Sequence, residues 1–232
     1  MKLLNIDTNA KTVKGQARGY MTAILYLAPA NLSGYEVCPK RTAGCTAACL
    51  NSAGRGAFSN VQKARIAKTK FFFENRSAFM VQLVKEIRAF LRKALLKNLT
   101  PVIRLNGTSD IPWERIPVAA ETMVYPNLMT MFDFVQFYDY TKRTNRKGLP
   151  SNYHLTFSLA EDNDLDALNV ATSGTNIAVV FRTAQFPAFY MGLPVIDGDQ
   201  TDLRFLDPAG SVIGLKAKGR AKKDTSGFVR AA

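Results

Sequence analysis

The chain's three cysteines all fall within twelve residues, in Cys38-Pro39-Lys40-Arg41-Thr42-Ala43-Gly44-Cys45-Thr46-Ala47-Ala48-Cys49. The spacing is C-x6-C-x3-C. An odd count fits a disulfide framework badly. Three thiolates converging from one loop suit a soft metal or an iron–sulfur cluster. A [4Fe–4S] cluster held by Cys38, Cys45 and Cys49 would leave one iron for a small molecule, an unusual side chain or water. Zinc is the rival, but a closed zinc site wants four ligands. The only histidine, His154, is expected at the start of a strand, at the far end of the sheet. Plain burial of three thiols is a third reading, because free cysteine is among the most buried residue types. The following residues, Leu50 to Gly56, bring small side chains and Arg55. They either supply N–H groups and a cation to sulfur or form a turn with Arg55 in solvent.

The elements around this loop must position it. Tyr20 to Ala28 reads as a first strand, with the Cys-rich loop at about 37–56 after it. Asn60 to Leu99 reads as two helices broken near Glu74–Ser77. Phe79, Leu83, Ile87, Phe90, Leu91 and Leu95 share a face of the second. Pro101 marks the stop. Short apolar strands are expected at Val102–Leu105, Phe134–Tyr140, Tyr153–Ser158 and Asn176–Phe181. Helical segments are expected near Pro117–Tyr125 and Asp162–Thr172, and a terminal hairpin from Leu193–Ile196 and Ser211–Leu215. The fold class is α/β, with a parallel sheet either open or curled into a partial (β/α) barrel.

In such folds the site lies at the carboxyl ends of the strands. Polar residues gather there: Asn106, Ser109 and Asp110 after one strand, and Asp139, Thr141 and Lys142 at the next. They are candidates for lining a ligand mouth, with Asp110 and Asp139 able to meet a substrate amine or the fourth iron. Loop capping and surface ion pairing are the plainer roles.

Over 232 residues, 47% are hydrophobic and 21% charged, which excludes wholesale disorder. Residues 1–232 read as one domain with a basic, loose tail at about 216–232. No apolar run approaches the roughly 20 residues of a membrane span, so no membrane partner is expected. The N-terminus lacks the apolar stretch of a signal peptide, which places the expected location in the cytoplasm. Thirty-one Lys and Arg against eighteen Asp and Glu give a formal +13, concentrated between Val61 and Thr100 and in the tail. Such a field attracts polyanions, nucleic acid first among them; a solvated helix face explains it equally. Gly15–Gly19 lacks the P-loop ending, no Ser-His-Asp set is credible, and Asp197–Asp202 reads as a turn rather than a calcium loop. Trp113, Phe132, Phe137, Tyr138 and Phe71–Phe73 are expected in the core.

Taken in order, an early strand, a Cys-Pro-x5-Cys-x3-Cys-Leu loop ending in Gly-Arg, a basic helix, and strands ending in Ser109-Asp110 and Tyr140-Thr141-Lys142 resemble the phage "gene product eighty-eight" family. The resemblance runs from about Asn9 to Gly219. It implies a phage-encoded iron–sulfur protein similar to a shortened radical S-adenosylmethionine (SAM) barrel, with SAM as a candidate ligand of the free iron. Ordinary radical SAM enzymes carry C-x3-C-x2-C, and here Ala48 stands where an aromatic precedes their last cysteine. Two functions follow as expectations. One is a [4Fe–4S]-binding protein with an open fourth site. The other is a basic nucleic-acid-binding protein whose Cys loop is stapled by a structural metal.

Overall fold

The computed structural model describes residues 1–7, 9–120 and 122–231. The chain begins with β1 (Leu4–Ile6), α1 (Ala10–Gln16) and β2 (Tyr20–Leu25). Next come the one-turn helices α2 (Ala30–Ser33) and α3 (Ala43–Ala47), then the long helices α4 (Ser59–Glu74) and α5 (Arg76–Leu96). Strand β3 (Thr100–Arg104) is followed by β4 (Val118–Ala120), β5 (Met123–Tyr125), α6 (Leu128–Met131), β6 (Gln136–Thr141) and β7 (Tyr153–Ser158). Helix α7 (Asp164–Ala171) leads to β8 (Ile177–Phe181), β9 (Phe189–Tyr190), β10 (Leu193–Asp197), β11 (Val212–Lys216) and β12 (Val229–Arg230).

The main sheet runs β1-β2-β3-β6-β7-β8-β11-β10-β9. All neighbours from β2 through β10 are parallel, and β1 and β9 close the two edges antiparallel. The sheet is thus mixed and largely parallel, and β1 and β9 are not paired to each other among the described residues. The Cys-rich loop follows the second strand, not the first. Strand β1 is too short to show a period, and the Glu86 carboxylate holds it by accepting the Leu3 and Leu4 N–H groups at 2.8 Å.

The break between α4 and α5 falls at Asn75, whose side chain accepts the Ala78 N–H and starts the second helix. Phe79, Leu83, Ile87 and Phe90 face the core as expected, with Leu91 half-buried. Leu95 does not; it is 79% exposed. The buried stripe continues from Phe90 to Ala94, which leaves Leu95 one position around the helix, on the solvent side.

Three other expectations fail. The segment near Pro117–Tyr125 is an antiparallel hairpin, with Val118 opposite Tyr125, because its β-branched and aromatic residues outweigh its alanines. Strands β10 and β11 pair in parallel, since residues 198–211 form a crossover rather than a tight turn. The tail is not loose either. Val229 and Arg230 pair with Val180 and Phe181, taking over the edge of β8 where β7 leaves it. No helix among the described residues is long and apolar enough to cross a membrane.

One core lies between α4–α5 and β1, β2, β3 and β6, and holds Phe72, Trp113, Phe132 and Phe137. A second lies around β7, β8, β11 and α7. Tyr138 is fully buried in a smaller cluster with Val102 and Leu203.

Candidate functional site

A cavity of about 1160 Å³ opens at the carboxyl ends of the parallel strands, and all three cysteines stand on its wall. Each is held by local backbone chemistry. Cys45 lies on α3, where the Thr42 side chain caps the helix by accepting the Cys45 N–H at 3.1 Å. Cys49 caps the next turn, its sulfur accepting the Asn51 N–H at 3.5 Å. The Cys38 thiol points to the Thr108 carbonyl at 3.8 Å. The far side of the loop packs on the C-terminal segment, where Ala48 meets Ala221 and Val229. Gly107 lets the loop after β3 lie flat against Tyr26, since a Cβ there would come within 2.6 Å of its ring.

All three thiols are free and half-buried. Burial pushes the Cys38 thiol up to about 12, and Cys49, Asp110 and Cys45 add to that. Burial also raises Cys49, against the pull of the Asn51 N–H. Among the described residues no three His, Cys, Asp or Glu side chains are gathered closely enough to enclose a metal ion. His154 lies on β7 in register with Tyr138 and does not reach the cavity. The cysteines line the same cavity, near enough for Cys45 and Cys49 to act on Cys38, without a preformed cage among the described residues. Three unpaired thiols beside the cations of Arg65 and Lys142 are nevertheless the donor chemistry an iron–sulfur cluster takes.

The strand-end residues divide. Asn106, Ser109, Asp110, Thr141 and Lys142 line the cavity; Asp139 does not, being fully buried behind it. Asp139 accepts the Asn106 N–H at 2.7 Å and the Tyr153 hydroxyl at 2.8 Å. Burial pushes its carboxyl up to about 7 against these bonds and the nearby Arg104. Asn106 spends its side chain on the loop, its oxygen accepting from Ser109, Ile111 and Trp113. Asp110 accepts the Lys142 N–H at 2.9 Å and pairs with Arg146 at 3.3 Å. The Thr141 hydroxyl oxygen accepts the Arg143 N–H at 3.1 Å. Of the six, only Lys142 presents a charged tip without a carboxylate partner; its ammonium donates to Ser158 at 3.0 Å.

The most informative lining residues are ones the motif reading passed over. Arg65 and Lys68 lie on the buried face of α4, in step with Phe72. That three- and four-residue spacing, with basic residues on an apolar stripe, is the signal that was present. Arg65 donates to Asn51 at 2.8 Å and stacks 4.6 Å over Tyr26. Lys68 donates to the Leu3 carbonyl at 2.7 Å, and burial lowers it to about 8. Arg104, a charge inside a strand, pairs with Asp202 at 3.1 Å and stacks over Tyr140.

No curated protein and no solved structure matches the chain. A model of a phage protein family does, over residues 1–232. With its clustered cysteines and strand-end loops in that frame, the chain belongs to the Gene product 88 family.

Proposed function

We propose that this protein binds a [4Fe–4S] cluster through Cys38, Cys45 and Cys49 and leaves one iron open to the cavity. The observation that carries this is the placement of all three free thiols on the lining of a single cavity at the strand ends, near enough for Cys45 and Cys49 to act on Cys38. The loop that bears them is braced on three sides, by the Asp110 N–H on the Val37 carbonyl, by Glu161 and by the C-terminal segment. The basic lining would offset the negative charge of thiolate-bound iron and sulfide. The sequential order of the parallel strands from β2 to β8 supports likening the sheet to a shortened barrel.

In this reading the chain supplies three sulfur ligands, a cavity for a ligand and cations to hold that ligand, while the cluster supplies Lewis acidity or an electron. The open iron is tested by Mössbauer spectroscopy of protein loaded with isotopically enriched iron. Three irons alike and one distinct, with the distinct one responding to added small ligands, is the expected spectrum. Four equivalent irons, or mononuclear iron, would refute an open site.

A further inference from the structure

The cavity carries far more positive charge than three sulfur ligands need. Eleven Lys and Arg line it against three Asp. All three aspartates are already engaged: Asp110 by Arg146, Asp199 by Lys11 at 2.7 Å and Lys218 at 2.8 Å, and Asp202 by Arg104. No lining carboxylate is therefore left for the ammonium or sulfonium of SAM, and the lining does not fit that ligand. The cations divide the other way. Arg65, Lys68 and Lys142 have no carboxylate within ion-pair distance among the described residues; they donate to Asn51, to Leu3 and Asn5, and to Ser158. The Nε and Nη2 groups of Arg65 make no hydrogen bond to protein among the described residues.

Burying a cation without a counter-ion is costly. Arg65 is 8% exposed and Lys68 5%. Two such groups on the lining of one cavity, together with Lys142 beside the cysteines, make a site that an anion would complete. We propose that the cavity binds a small, multiply charged phosphate compound, a nucleoside triphosphate or inorganic polyphosphate, between α4 and the Lys142 strand end. There is room for it: about 1160 Å³ is more than the roughly 300–1,000 Å³ of ordinary small-molecule sites and leaves space beside the cysteines. The depth of Arg65 and Lys68 favours a small polyanion over a duplex, whose phosphates would meet the exposed cations of α5 instead. The proposal deepens the cluster reading by naming the class of ligand beside it, yet it does not require iron.

Calorimetric titration of the full chain with ATP, tripolyphosphate, SAM and a single-stranded oligonucleotide tests it, with iron measured on the same samples. ATP binding at micromolar concentration is expected, falling at least tenfold in Lys142→Ala and in Arg65→Met and unchanged in Arg92→Gln/Lys93→Gln on the exposed face of α5. Equal binding of tripolyphosphate would identify the phosphates as the recognised part; a clear preference for ATP would identify a nucleotide. Should Arg65→Met fail to fold, Lys142→Ala carries the test. No binding of either phosphate compound, tighter binding of SAM, or oligonucleotide binding lost only in the α5 variant would overturn the proposal. Phosphate binding by iron-free protein would leave this proposal standing whatever becomes of the cluster; a chain that holds iron and binds no phosphate compound would sink this proposal and leave the cluster standing.

Discussion

The Glu161 carboxylate accepts the Gly44 backbone N–H at 2.6 Å, so the loop that follows β7 is tied directly to the start of the helix that carries Cys45. Its second oxygen accepts the Thr42 hydroxyl at 2.6 Å. Against partial burial, these bonds hold the carboxyl below its ordinary range. One acid thus fixes the middle cysteine to the sheet. Glu161→Ala should cost about 2 kcal/mol, the worth of hydrogen bonds to a charged group, and lower Tm by roughly 4–8 °C. Iron retention should fall with it. An unchanged Tm and unchanged iron content would show that the loop is held elsewhere.

Metal-free protein should have an unusually sluggish Cys38. With its thiol held at about 12 by burial and its neighbours, the thiolate fraction rises about tenfold per pH unit between roughly pH 7 and 10. Alkylation of the Cys38 peptide, followed by mass spectrometry, should climb over that whole range. Levelling off near the free-thiol value of about 8.5 would contradict the buried setting. Since ligation replaces these protons, loading with iron should be favoured by raising the pH.

Asp139 makes stability depend on pH in a defined direction. Burial raises its folded value to about 7, whereas the unfolded chain titrates near 3.9. The folded state therefore keeps a proton that the unfolded state loses. The contribution is fully present below about pH 4 and is lost as pH rises through about 7, at about 1.4 kcal/mol per unit. Denaturation of wild type at about pH 5 and about pH 7 should differ by about 2–3 kcal/mol more than that of Asp139→Asn. Equal pH dependence in the two proteins would show that Asp139 is ionised throughout.

Much of this frame can be read from the chain because its signals are local. The break at Asn75, the stripe from Phe79 to Phe90 and the apolar strands β3, β6, β7 and β8 declare themselves by period and capping. What stays hidden depends on distant partners. Strand β1 exists through Glu86, eighty-odd residues away, and β12 through β8. The same holds at the site. The three cysteines are visible as a cluster, and Lys142 is visible at a strand end. Asp139 reads like a mouth residue until Tyr153 and Asn106 close over it. Arg65 and Lys68 look like part of a solvated basic face, and only the packing of α4 against β1 and Tyr26 turns them inward.

The central claim is that Cys38, Cys45 and Cys49 act together as one ligand set. Anaerobic purification with iron, sulfide and zinc analysis, on wild type beside Cys38→Ala, Cys45→Ala and Cys49→Ala, tests it most directly. The account predicts a brown protein with about four irons and four sulfides per chain, lost in each of the three variants. A colourless protein, a single zinc, or iron that survives the loss of any one cysteine would contradict it.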